Sequence, residues 1–316
     1  MLTINKEETI KYSDFPLLID ALQEAFKADF TVPKRSHHDM SNPSASRETT
    51  LLIMPAWEDG ELCGVKIVTV APDNVDRPTI QGNYILIDIK NGSSLALLDA
   101  PSLTARRTAA ASALASTYLS REDTKSMLMV GTGTLSPNLI RAHASIRPIE
   151  EVFIWGRTKS KAEAVAKTLD GEHFEVRVVD TIEEKASTVD LISVATMSME
   201  PLIKGEWLRP GQHLDLVGAY RPDMRESDDE AIKRCRIYVD TYYGATHETG
   251  EIVIPLKEGT ITEADLNGDL FNLCRGEKSG RITAEEITMF KSTGHALEDL
   301  AAARLIYHGL QNSNGN

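Results

Sequence analysis

The sequence predicts an α/β protein with two different sheets. From about residue 125, short apolar runs alternate with helical periods, and a Gly-Thr-Gly turn follows the first of those runs. The first 100 residues instead hold strand-like segments joined by turn signals. Strands alternating with helices imply a parallel sheet covered on both faces, whereas successive strands with hairpin turns imply an antiparallel-rich one. At 316 residues the chain exceeds the roughly 250–300 at which single cores stop growing, so two domains are expected.

The elements follow in order. "SDFPLLIDALQEAFKAD" is predicted to be a helix. "TLLIMPAW", "LCGVKIVTV" and "NYILIDI" are strands, and the last turns at Asn91-Gly92 into "SSLALLDA", because Asn-Gly accepts the left-handed backbone of a tight hairpin. "SLTARRTAAASALASTYL" reads as a long helix whose alanines permit close backbone packing. "SMLMV" (126–130) is a buried strand, and Leu135, Leu139 and Ile146 mark one face of the next helix. After the strand "VFIWG", Ala162, Val165, Ala166 and Leu169 recur at the i, i+3, i+4, i+7 spacing of an amphipathic helix. The alternation continues through "FEVRVVD", a short helix at "TIEEKAS", "VDLISVAT", a loop around Pro201 and Trp207, "HLDLVGAY" and "CRIYVDT". Beyond residue 280, "RITAEEITMFKSTGHALEDLAAARLIYHGL" is predicted to be helical and to return toward the first domain. The expected domains are residues 1–120, joined by 290–316, and residues 121–289.

Composition excludes several classes. No apolar run approaches the ~20 residues that span a bilayer, and the N-terminus lacks the basic start and apolar centre of a signal peptide, so a cytoplasmic protein is expected. Cys63, Cys235 and Cys274 show no CxxC spacing, and the His37-His38 pair has no companion ligands at metal spacing. No metal site is therefore expected. A formal net charge of −13 argues against a nucleic-acid surface. Against that acidic background a pocket built from cations carries information.

The turn Gly131-Thr132-Gly133-Thr134-Leu135-Ser136 joins a strand to a helix. In this arrangement amides at the helix N-terminus face a pyrophosphate; Gly131 permits the tight turn and Gly133 the close approach of backbone to phosphate. Ser136 replaces the third glycine of GxGxxG, where the residue need only be small. At the end of the second strand an acid would hold the ribose of NAD. Here Arg157 and Thr158 stand instead, with Lys159 and Lys161 behind, and a guanidinium suits a 2′-phosphate. The expectation is a Rossmann-type domain that binds NADPH, with NADH less favoured. Ala195 and Thr196, at the end of "VDLISVAT", are further candidate cofactor residues.

The segments "VPKRSHHDM", "GVKIVTVAPDN", "LALLDAPSLTARRTAAASALA", "MVGTGTLSPNLIRAHA", "WGRTKSKAEAVA", "HLDLVGAYRPDMRE", "THETGEI" and "STGHALEDLAAA" in this order resemble the ornithine cyclodeaminase/mu-crystallin family over nearly the whole chain. The resemblance implies a homodimer with a central Rossmann domain and a discontinuous α+β domain for substrate binding and dimerisation. It also implies that Arg35, Lys66 and Arg107 bind a substrate carboxylate, and that Ser292 and Gly294 approach the nicotinamide.

Each cation has an ordinary alternative: Arg35 as an exposed loop arginine, Lys66 reaching past the edge of its strand, Arg107 paired with a surface acid. Lys66 lies inside an apolar run, where a buried ammonium must meet an anion. Arg106 and Arg107 point about 100° apart around their helix, and the resemblance selects Arg107 for the pocket.

One departure directs the functional expectation. The family's cyclodeaminases carry an aspartate where this chain has Tyr220. Without that acid, and with Arg157-Thr158 suiting the cellular reductant, "DLVGAYRPDMRESDD" is more similar to the family's cyclic ketimine reductases. The expected reaction is NADPH-dependent reduction of Δ1-pyrroline-2-carboxylate or Δ1-piperideine-2-carboxylate to L-proline or L-pipecolate. Lys66, His38, Tyr220 and water stay open as proton donors. Asp223, Glu226, Asp228 and Asp229 are expected to form a solvated loop. The alternatives are an ornithine cyclodeaminase, an alanine dehydrogenase-like enzyme, and a non-catalytic protein that binds NADPH and a small ligand.

Overall fold

The structure, a computed structural model, describes residues 1–314 and divides the chain into two units. The first unit combines Met1–Arg107 with the C-terminal segment from Ala296; the second is Thr108–His295. In chain order the first unit supplies β1 (Leu2–Ile4), α1 (Lys6–Lys11), α2 (Phe15–Lys27), β2 (Ser36–Met40), β3 (Thr49–Trp57), β4 (Leu62–Val70), β5 (Ile80–Asp88), β6 (Ser94–Asp99) and the first turns of α3 (Ala100–Leu119).

Its strands form one sheet in the order β1-β6-β5-β4-β3-β2, antiparallel except for β1, which runs parallel to β6. Pro16 in the first turn pre-sets α2, and Phe15, Leu18, Ile19, Leu22, Ala25 and Phe26 form its buried stripe. Between β5 and β6, Gly92 takes φ 73° and donates its amide to the Asp88 carbonyl, so the Asn91-Gly92 turn forms where the sequence predicts it. The strand β2, "SHHDM", was not expected: it is exposed along its length at the sheet edge and so carries no apolar alternation.

The second unit supplies β7 (Ser126–Val130), α4 (Leu135–Ala144), β8 (Glu151–Trp155), α5 (Lys159–Lys167), β9 (Glu175–Val178), α6 (Glu183–Ala186), β10 (Leu191–Val194), β11 (His213–Leu216), α7 (Asp229–Arg234) and β12 (Arg236–Val239). It continues with α8 (Tyr242–Glu248), α9 (Gly250–Glu258), β13 (Leu266–Asp269), α10 (Leu270–Cys274) and β14 (Thr288–Lys291). All eight strands are parallel, in the order β13-β12-β14-β11-β10-β7-β8-β9. Leu128, Val130, Ile192, Val194, Leu214, Leu216 and Met289 build the core around the central strands. The strand order reverses between β7 and β10, and ligands of such sheets bind at the carboxyl ends of the strands beside that reversal.

The chain closes with α11 (Ala296–Asn314), which packs on β3, β4, β5 and α2 of the first unit. Along β4 the covered face is Gly64, Lys66 and Val68, and the alternation leaves Val65 and Ile67 on the open face.

Three sequence expectations are corrected. Helix does not begin at residue 280: β14 is a fully buried strand between β11 and β12, and Gly294 at φ 83° bars helix before Ala296. Ile146 lies beyond α4, which ends at Ala144. The division between units falls at Arg107/Thr108, inside α3, and not after residue 120. Arg106 and Arg107 bond to groups of the first unit, whereas carbonyls in the last turn of α3 accept from Arg147 and Arg281 of the second.

Candidate functional site

In the first unit, β4 brings Lys66 under α11. Its ammonium lies 2.9 Å from Oδ1 and 2.7 Å from Oδ2 of Asp299. Arg107, from the second turn of α3, donates from Nε to the same Oδ1 at 2.9 Å and from Nη1 to Glu298 Oε2 at 2.5 Å. All four side chains are buried, at no more than 6% exposure. The anion that the buried Lys66 requires is thus supplied by the protein itself, as Asp299. Two adjacent acids at the start of α11 satisfy two cations from different elements.

The electrostatics follow from burial. Loss of water lowers Lys66 to about 8, with the charges of Arg107 and Arg35 adding to the effect and Asp299 opposing it. Burial pushes the Asp299 carboxyl up, but Arg107 and Lys66 outweigh it and hold the group below its usual value. For Arg107, burial is likewise outweighed, here by Asp299 and Glu298, and the guanidinium stays charged.

Arg35, half-buried just before β2, is near enough for its charge to act on Lys66 and on His37. His37 and His38 are both exposed, and as successive strand residues they point to opposite faces. Arg106, the neighbour of Arg107, places its guanidinium 3.6 Å from the centre of the Phe15 ring and bonds to Ser13. The two arginines therefore serve different surroundings.

Tyr84 pairs with Lys66 across β5 and β4, and its ring lies over Gly64: a Cβ there would sit 1.7 Å from the hydroxyl. The buried hydroxyl has no hydrogen-bond partner among the described residues.

In the second unit, Gly131 leaves β7 at φ 125°, and a Cβ on it would meet the Ala195 carbonyl at 2.5 Å. Gly156, after β8, is equally constrained by Thr132, whose methyl would lie 2.4 Å from a Cβ. Gly133 and Thr134 are exposed before Leu135 opens α4. Ser136 does more than stay small: its buried hydroxyl donates to the Gly131 carbonyl at 2.9 Å and closes the turn. This glycine-shaped cradle at the N-terminus of a ten-residue helix fits a dinucleotide pyrophosphate.

Arg157 and Thr158 are exposed after β8, and Lys161 is exposed one turn into α5. Arg157 has no ion-pair partner among the described residues, while Lys159 is drawn 2.7 Å from Asp180. Ala195 and Thr196 follow β10 beside Gly131. Ser292 and Gly294 follow β14; the Ser292 amide donates to the Leu216 carbonyl, and Asp240 accepts from the Thr293 and Gly294 amides.

The acidic run is not a solvated loop. Only Asp223 is exposed, paired with Arg221; Asp228 caps α7 and Asp229 pairs with Arg225. Glu226 is fully buried and accepts from the Thr196 amide and hydroxyl and the Gly218 and Ala219 amides. Burial, with Glu251 adding, pushes Glu226 up to about 7 against the pull of Lys291. The composition of "RPDMRESDDE" resembles any surface loop, so the sequence gives no signal that separates Glu226. For Asp299 and Glu298 there was a signal: two acids inside the otherwise apolar "HALEDLAAA", in a chain whose Lys66 demands an anion.

Comparison with known proteins gives one consistent result. The family model of the ornithine cyclodeaminase/mu-crystallin family matches residues 4–314. A Δ1-pyrroline-2-carboxylate reductase of Paracoccus denitrificans is 35% identical over 90% of each chain. The Thermococcus litoralis Δ1-pyrroline-2-carboxylate reductase, solved in complex with NADH and L-proline, superposes with a TM-score of 0.93 at 32% identity, covering 99% of this chain and 98% of its own. An archaeal alanine dehydrogenase dimer with bound NAD superposes at 0.91 with 29% identity, covering 99% and 97%.

Proposed function

This chain belongs to the ornithine cyclodeaminase/mu-crystallin family, and from that premise we propose that it reduces Δ1-pyrroline-2-carboxylate to L-proline with a nicotinamide dinucleotide. The observation that carries the reading is the buried set of Lys66 and Arg107 held charged by Asp299 and Glu298, in a chain 35% identical to a protein of that activity.

The carboxylate of the imine is the group for Lys66, Arg107 and Arg35. Arginine offers a planar fork that matches both oxygens, and the two acids keep that fork and the ammonium oriented before substrate arrives. When bound, the dinucleotide supplies hydride to the C=N carbon. The chain's own contribution is to fix that carbon by its carboxylate and to let the imine nitrogen carry a proton, since the iminium is the stronger electrophile. Gly131, Gly133 and the amides opening α4 would hold the pyrophosphate, with Ala195, Thr196, Ser292 and Gly294 bordering the same cofactor.

For the cofactor we favour NADPH. Arg157, with no ion-pair partner among the described residues, and the exposed Thr158 stand where an acid would repel a 2′-phosphate, and Lys161 adds a second cation. Tyr220, 40% exposed, occupies the position that the family's cyclodeaminases use for an acid, so expulsion of ammonia lacks its group here. We also place a second copy of the chain on the open face of the six-stranded sheet, where Leu51, Ile53, Val65, Ile67 and Ile85 leave apolar surface and Ile67 is 37% exposed.

The test is oxidation of NADPH and of NADH followed with pyrroline-2-carboxylate, piperideine-2-carboxylate and pyruvate plus ammonia, beside ornithine with NAD. Turnover of the five-membered imine above the rest is expected. Ammonia release from ornithine would replace the reading with a lyase, and pyruvate as the best substrate with an alanine dehydrogenase. Cofactor binding without any turnover would leave a binding protein.

A further inference from the structure

We propose that Glu226 is a positioning residue for the nicotinamide cofactor, its carboxylate tying the backbone after β10 to the backbone after β11 at the edge of the crevice where the strand order reverses. The inference rests on the proposed function only for the class of cofactor.

Each carboxylate oxygen serves one loop. Oε1 accepts from the Thr196 amide at 2.7 Å and the Thr196 hydroxyl at 2.8 Å; Oε2 accepts from the Gly218 amide at 2.8 Å and the Ala219 amide at 3.2 Å. The loops are almost in contact, since a Cβ on Gly218 would sit 1.9 Å from the Thr196 carbonyl oxygen and 2.6 Å from Glu226 Oε1. Side-chain bulk therefore cannot set their spacing, and an acceptor shared between them can.

Glu226 is itself anchored. Its carbonyl accepts from the amides of Leu202 and Ile203, and its own amide donates to Glu251 Oε2 at 2.7 Å. Four donors converge on one side chain that is 0% exposed. Only an ionised carboxylate has two oxygens that both accept throughout. A glutamine would turn an NH2 group toward the amides of one loop, and a protonated acid would do the same with a hydroxyl.

The charged groups around it are Lys291 from β14, whose ammonium donates to the Leu216 carbonyl, and Glu251 from α9; Asp240 after β12 and Asp215 on β11 act in turn on Lys291. Lys291 favours the ionised form and Glu251 opposes it. The group therefore changes state close to neutrality, and the tie weakens on the acid side.

The experiment is equilibrium binding of NADPH and of NADH to the full chain, read by fluorescence from about pH 6 to about pH 8.5, with no imine present. The ratio of variant to wild type cancels any titration of the dinucleotide. Glu226→Gln is expected to weaken binding about tenfold at pH 8 and much less at pH 6, where the wild type is already protonated. Ser227→Ala removes a hydrogen bond to Glu251 from the same buried set but touches neither loop. It should lower the melting temperature and leave Kd unchanged.

Equal Kd for wild type and Glu226→Gln across the range would overturn the inference, as would equal weakening by Ser227→Ala. If Glu226→Gln does not fold, a flat wild-type Kd for NADH, which has no 2′-phosphate to titrate, between about pH 6 and pH 8 overturns it and a rise toward acid supports it. Failure of both dinucleotides to bind removes inference and functional reading together. Binding that depends on Glu226 without turnover of any imine removes the functional reading alone.

Discussion

Asp299 sets both of its carboxylate oxygens within 2.9 Å of the Lys66 ammonium, joining the middle of a sheet strand to the first turn of a helix 233 residues later. The same Oδ1 serves Arg107. Asp299→Ala would leave two buried cations short of an anion, and breaking one partner of such a set costs about 3–5 kcal/mol. Urea unfolding should show that loss, and kcat/KM for the imine should fall more than about 100-fold in the molecules that remain folded. A loss under about 1 kcal/mol would mean that the pair is not maintained in solution.

The position of Lys66 predicts an alkaline limit to activity. Burial lowers its pKa to about 8, so the ammonium is present below that pH and lost as pH rises through it. If the charge holds substrate, kcat/KM for the imine falls up to about tenfold per pH unit above pH 8. Lys66→Met should be slow already at neutral pH and show no break near 8. A break that persists in Lys66→Met belongs to another group.

The proposed preference for NADPH makes Arg157, two residues past the end of β8, the position to change. Arg157→Asp exchanges a cation for the acid that NAD sites carry, and kcat/KM with NADPH should drop about 100-fold while the value with NADH changes less than about threefold. Parallel steady-state assays with both dinucleotides decide it, and an equal change with each would remove Arg157 from the site.

Two substitutions under α11 should move stability in opposite senses. Gly64→Ala forces a Cβ into the Tyr84 hydroxyl, and overpacking of this kind costs about 1–3 kcal/mol. Tyr84→Phe removes a buried hydroxyl without a partner among the described residues, so stability should hold or rise by up to about 1 kcal/mol. A drop in Tm for Tyr84→Phe would show that the hydroxyl is satisfied in solution.

Ile67 offers a test of assembly. Ile67→Asp puts a charge in the middle of the open apolar face, and light scattering should then report the mass of one chain where the wild type gives two. An unchanged mass would place the contact elsewhere.

How far the sequence could be read depended on which residues carried a pattern. The parallel sheet was legible because β7, β8 and β10 are apolar runs alternating with amphipathic helices, and the tight turn at Gly131 because only glycine takes its φ of 125° without strain. β14 departs from the predicted helix because "TMFK", buried on both faces, has no period-2 alternation and runs directly into a helical pattern. Lys66 and Arg107 could be singled out as cations in places where cations are costly. Their acids are marked only as two charges inside an apolar helical pattern, and the pairing itself, across 233 residues for Lys66 and 192 for Arg107, leaves no local trace. Glu226 was invisible for a related reason: its donors are backbone amides, which every residue has.

Because the acids that neutralise Lys66 and Arg107 stand at positions 298 and 299, translation order matters. A ribosome delivers the whole six-stranded sheet and the second unit before α11 emerges. Until then Lys66 on β4 and Arg107 on α3 lack the counter-charges that α11 supplies. The first unit therefore completes its buried ion pairs only once α11 has been made, and a stop codon just before Ala296 would remove both acids from it.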